Sequence, residues 1–217
     1  MTLDTLPQTG VELVFNEQDN TWVLSSTGEA LAPPLIHAEI RNHATLSATL
    51  LNDMTVGMYA GELDVALWQS AVFAELKDGH TANMIFAAGG EANVTPPAIA
   101  RLDATIAKEA GFLSEFAQGV ADGTVSELQA RARATQYAKA MEQSYWKEWD
   151  AGLATGDEFS HLPLTTNWPG DGQTQCRGNC QCIKTFTPGV GIEWLLFPAE
   201  HCDDCLALAA GGPYRSN

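Results

Sequence analysis

Residues Thr95 to Trp149 read TPPAIARLDATIAKEAGFLSEFAQGVADGTVSELQARARATQYAKAMEQSYWKEW, and this stretch decides the fold as mainly helical. Thr95 is a good N-cap because its hydroxyl can accept from an amide of the first turn, and Pro96 fits the first helical position, where no N–H is needed. Ile99, Leu102, Ile106, Leu113, Phe116 and Val120 then fall on one stripe at helical period. Gly119 and Gly123 mark a break. Thr124 with Glu127 has the spacing of a capping box and opens another helix through Leu128, Ala132, Tyr137, Met141, Tyr145 and Trp149, with Gly152 as its stop. Tyr145, Trp146 and Trp149 are expected to anchor the end of this helix against the body or a neighbouring subunit.

Toward the N-terminus, Asp64 to Ala88 predicts a helix with Leu67, Ala71, Ala74, Ile85 and Phe86 among its apolar positions and Gly79 as a kink point. Ile36 to Met58 predicts another, on the pattern Ile36, Ile40, Leu46, Leu50, Leu51 and Met54, with Pro33 and Pro34 just before it. Val11–Asn16 and Thr21–Ser25 are β-prone runs around a polar turn and predict a short hairpin. The expected fold is therefore mainly α with small β elements. An arm with a β-hairpin covers residues 1–35, a body of about four helices covers 36–155, and a Cys-rich, zinc-ribbon-like module with a tail covers 156–217.

All five cysteines lie in that last part, as CxxxCxC at Cys176, Cys180 and Cys182 and as HCxxC at His201, Cys202 and Cys205. Thiols used for packing would be spread through the apolar segments, so their confinement points to a local staple. Between the clusters, Gln181–Phe186 and Ile192–Phe197 are β-prone and joined by a Pro/Gly turn, so a hairpin would carry the second pair back beside the first. Two close pairs on separate loops suit tetrahedral Zn2+. Cys176, Cys180, Cys202 and Cys205 are the expected ligands, with Cys182 and His201 as alternates. Cys182 is the surplus thiol because strand alternation turns it aside, and His201 is expected to be an outer hydrogen-bond donor or exposed. Arg177 and Lys184 would offset the excess negative charge of such a site, and Asp203 and Asp204 are expected to be solvated. A site of four thiolates is structural, and neither HExxH nor HxE with PCxxC occurs to suggest catalytic zinc. Two disulfides with one thiol left over are the other reading, and unlinked thiols a third. The start of the chain lacks the basic and apolar segments of a secretory signal, which favours a reducing cytoplasm and hence metal.

The formal net charge is −16 in 217 residues, with the acids dispersed through the helical region. A broadly negative surface follows, and from His161 onward only Arg177, Lys184 and Arg215 are fixed cations, so no direct nucleic-acid binding is expected. No apolar run is long enough to span a membrane. Gly89-Gly90 and the Gly189/Gly191 pair do not follow a strand into a helix, so they read as turns and not as phosphate cradles. No GxSxG motif is present, and His37, His43, His80 and His161 stand without clustered partners, so no catalytic residues are assigned and no enzyme is expected.

Three segments carry a family resemblance: Leu162-Pro163, WPGDGQTQCRGNCQC from Trp168 to Cys182, and FPAEHCDDCLALA from Phe197 to Ala209. Together they resemble the C-terminal region of tailed-bacteriophage minor head proteins encoded near the portal. GELDVALWQ from Gly61, the Gly89-Gly90 loop, FLSEFAQGVADGT from Phe112 and ARARATQYAKA from Ala130 are similar in style, so the likeness spans most of 36–210. The resemblance implies a virion structural protein, a minor head or head–tail connector component that docks on the portal vertex or capsid. Portal, capsid and connector proteins are the implied partners, in a symmetric homo-oligomeric array assembled in the host cytoplasm, with no membrane contact. A metal-dependent enzyme, or a zinc-stapled interaction module of unrelated function, is the alternative.

Overall fold

A computed structural model of the protein describes residues 13–16, 21–30, 33–154, 182–187, 191–196 and 201–214. Strands β1 (Leu13–Asn16) and β2 (Thr21–Leu24) pair antiparallel, with Val14 opposite Val23 and Asn16 opposite Thr21. The body follows as α1 (Pro33–Tyr59), α2 (Val65–Ala88), α3 (Pro96–Ala121) and α4 (Glu127–Ala154). A second antiparallel pair, β3 (Ile183–Thr187) and β4 (Gly191–Leu195), precedes a short helix α5 (Asp203–Gly211).

Local chemistry explains where the helices begin and end. Asp64 caps α2 by accepting from the Leu67 amide at 2.7 Å, and Gly89 closes it at φ +81°, a left-handed turn that glycine adopts without a Cβ penalty. Thr95 accepts from the Ala98 amide at 3.3 Å and so caps α3 as the sequence predicts. The predicted box at Thr124 and Glu127 is corrected by two residues. Ser126 and Gln129 form it instead: the Gln129 carboxamide oxygen accepts from the Ser126 amide at 2.8 Å, and the Ser126 hydroxyl accepts from the Gln129 amide at 3.4 Å. Thr124 is still finishing α3, its hydroxyl donating to the Gly119 carbonyl at 2.9 Å. Gly119 is accordingly inside α3, and the break falls at Gly123 with φ +67°. Ser126→Ala is expected to cost about 1 kcal/mol in urea unfolding, and Thr124→Ala less. The reverse order would return the cap to Thr124.

Helix α2 sits centrally, packed on α1, α3 and α4. Its buried face is Trp68, Val72, Leu76, Gly79, His80, Asn83, Met84 and Phe86, which is rotated from the predicted one: Leu67 is exposed. Gly79 leaves α2 unbroken. A Cβ there would overlap the thioether of Met141, so the glycine serves the close approach of α2 and α4. On α1 the buried face is Ile40, Ala44, Ser47, Leu51, Thr55 and Met58, whereas the predicted Leu46 and Leu50 face outward. Polar residues are accommodated on this face because their groups find partners within α1 or on α2. Thr55 donates to the Leu51 carbonyl at 2.7 Å, and Ser47 donates to Glu75 at 2.6 Å.

Among the described residues, the apolar core forms three clusters. The largest joins Leu51, Met58, Trp68, Val72, Leu76, Leu113, Ala117, Ala134, Tyr137, Ala138 and Met141. A second joins Trp22, Ile40, Phe86, Tyr145 and Trp146. There the Trp22 ring stacks on Phe86 at 5.0 Å and its indole N–H donates to the Phe86 carbonyl at 2.9 Å, which pins β2 to the bundle. The third comprises Cys182, Ile192, Trp194 and Cys205. Trp149, at the end of α4, packs against both of the last two clusters.

Candidate metal centre

The β3–β4 ladder runs from Ile183 opposite Leu195 to Thr187 opposite Gly191, so the residue before β3 and the residues after β4 emerge at the same end. Cys182 stands at that end, fully buried, with its Sγ 3.4 Å from Nδ1 of His201. Cys202 is the N-cap of α5, and Cys205 lies one turn in, fully buried. Asp203 and Asp204 occupy the first turn, where carboxylates favour the positive end of the helix dipole. The chain then folds back, and Ile192 and Tyr214 exchange backbone hydrogen bonds of 2.9 and 2.8 Å, which closes the far edge of β4. Trp194 is 3% exposed at the centre of this small core.

Two of the expected ligands, Cys202 and Cys205, and both alternates, Cys182 and His201, thus gather at one end of the hairpin. Cys176 and Cys180 lie outside the described residues, as do His161, Phe197 and Arg177. Among the described residues no three His, Cys, Asp or Glu side chains surround one point as metal ligands. Donor chemistry fits a soft divalent ion.

A second polar cluster lies inside the bundle. Nδ1 of His80 is 2.7 Å from the Ser144 hydroxyl, the Asn83 carboxamide donates to the Met141 carbonyl at 3.1 Å, and Nε2 of His80 has no partner among the described residues. Beside it, Met84, Ala98, Arg101, Leu102, Thr105, Ser144, Lys147 and Glu148 line a shallow cleft. Arg101 crosses the cleft to Glu148 at 2.6 Å. The Ser144–His80 pair has the separation of a nucleophile and base, but His80 is 1% exposed, and burial, with repulsion from Lys147, lowers its pKa to about 4. That makes it a weak base in a sealed seam, so its role is packing. His43, half-buried, is also shifted down by burial against an opposing effect of Glu75. Sequence reading treats His80 as isolated because its partner lies 64 residues away.

The His80 shift has a consequence for stability. Its folded pKa lies below the usual 6.5, so the neutral ring contributes stability that is fully present above pH 6.5 and is lost as pH falls toward about 4. Acidification through this window is expected to remove about 3 kcal/mol from this group. Urea unfolding at pH 7 and pH 4.5 measures the loss. His80→Gln should flatten the difference, and an unchanged pH dependence in that variant would show that other groups cause it.

Comparison of the chain with protein-family models, with curated proteins and with solved structures gives no match. Among the described residues, no helix is long and apolar enough to cross a membrane.

Proposed function

We propose that the chain is a structural virion protein of a tailed phage, a minor head or head–tail connector component that docks on portal or capsid proteins as repeated copies. The reading rests on the resemblance of the cysteine segments, and one structural observation supports it most directly: the cysteine-bearing module shares Trp149 with the end of α4. A module joined to a long bundle through a common core transmits load, as a fastener must. Pinning of β2 by Trp22 serves the same end at the other terminus. Zn2+ held by Cys176, Cys180, Cys202 and Cys205 would supply the staple, with Cys182 and His201 packed beside it. The acidic surface, from a net charge of −16, suits a protein that neighbours packaged DNA without adhering to it.

The test is incorporation into heads. Deletion of residues 1–25 and, separately, replacement of Cys202 and Cys205 by serine should each prevent the protein from entering assembled particles. Normal incorporation of both variants, or wild-type protein absent from purified particles, would defeat the reading.

A further inference from the structure

The HCDDC run places two thiols across the first turn of α5. Cys202 is the N-cap, with extended backbone (φ −74°, ψ 161°) and a thiol that does not cap the helix. Cys205 is three residues on. N-cap and N3 side chains meet across the open first turn, which is the geometry that lets a capping box close. Their Cα atoms are about 5–6 Å apart in such a turn, within the roughly 4.4–6.8 Å span of a disulfide. Access differs between the two. Cys202 is partly exposed and Cys205 is fully buried, so a reagent in solution meets Cys202 first.

We propose that Cys202 and Cys205 form a thiol–disulfide exchange pair whose reaction partner is a small-molecule disulfide such as oxidised glutathione. The Cys202 thiolate attacks one sulfur of the reagent. Its S–S bond breaks, one glutathione leaves, and a mixed disulfide remains on Cys202. The Cys205 thiolate then attacks the Cys202 sulfur and expels the second glutathione. One intramolecular disulfide has formed, two electrons have passed to the reagent, and the two thiol protons end on the released glutathione. Cys182, buried against His201, takes no part. Exchange goes beyond the metal reading and bears on it, since both thiols belong to the proposed ligand set and oxidation would withdraw two of its four members.

The full-length protein is equilibrated in glutathione buffers of rising oxidation, quenched by alkylation and mapped by peptide mass spectrometry. Wild-type protein should form one disulfide, Cys202–Cys205. Cys205→Ser should stop at a glutathione adduct on Cys202, and Cys182→Ala, which removes a buried thiol without burying a hydroxyl, should still form the Cys202–Cys205 bond. A wild-type chain that stays reduced, a disulfide that uses another cysteine, or Cys205→Ser without an adduct on Cys202 overturns the proposal. Zinc measured in the reduced samples reports on the metal reading alone, so either idea can fail without the other.

Discussion

Trp68→Ala is expected to destabilise the protein by about 3–5 kcal/mol. The side chain is 1% exposed and belongs to the cluster to which α1, α2, α3 and α4 all contribute. Its ring lies 6.0 Å from Phe116, itself edge-on to Tyr137 at 6.4 Å, so truncation opens a void beneath an aromatic network. The hydrogen-bond loss is secondary. The indole N–H donates to Thr55 at 3.2 Å, but the Thr55 hydroxyl keeps its own bond to the Leu51 carbonyl, so no donor is left orphaned. Cavity formation therefore sets the cost, and Trp68→Phe, which keeps most of the ring volume, should cost clearly less. Equilibrium urea unfolding with an unchanged slope measures both. A loss below about 1 kcal/mol for Trp68→Ala would mean that the four helices do not close over this residue.

Helices were legible where capping chemistry and period agree. Thr95 caps α3 as read from sequence, and Asp64, read only as the first residue of its helix, caps α2; each offers a side-chain oxygen directly before an apolar period. Which face of a helix is buried was less legible. On α2, apolar residues occur on more than one face, and the face chosen by packing includes Gly79, His80 and Asn83, which hydropathy does not select. The exposed Leu46, Leu50 and Leu67 show the same limit from the other side. Helix α5 escaped notice because its N-cap is Cys202, where the usual signal is Ser, Thr, Asp or Asn, although Asp203 and Asp204 in its first turn were available as a hint. Pairings such as Trp22 on Phe86 and His80 on Ser144 join residues 64 positions apart and leave no local trace. At the candidate metal centre, sequence spacing anticipated a hairpin between the cysteine groups, and the described strands pair in that way. The burial of Cys182 against His201 is set by tertiary packing and lay beyond it.

The larger expected effect lies in the cysteine module. Its described parts are two five-residue strands, a nine-residue helix and a four-residue buried cluster. Segments this small seldom fold without a disulfide, a metal or a neighbour to lean on. Structural zinc in small peptides contributes roughly 10–16 kcal/mol of apparent binding energy at neutral pH, more than any single packing change in the bundle. On the metal reading, reduced protein should carry about one zinc per chain, and removal by a strong chelator should loosen the module first. Tryptophan emission reports this directly. Trp194 is 3% exposed inside the module, and Trp149 bridges it to Trp146, edge-on at 6.0 Å, so both should shift toward the emission of hydrated indole. The bundle cluster around Trp68 shares no residue with the module, so far-UV helicity should largely persist. Cys205→Ser should reproduce the chelated state without chelator, because it removes a proposed ligand and places a hydroxyl in a fully buried site. Zinc-free wild-type protein with an unaltered emission spectrum and melting curve would show that the bundle, through Trp149 and Leu195, holds the module unaided.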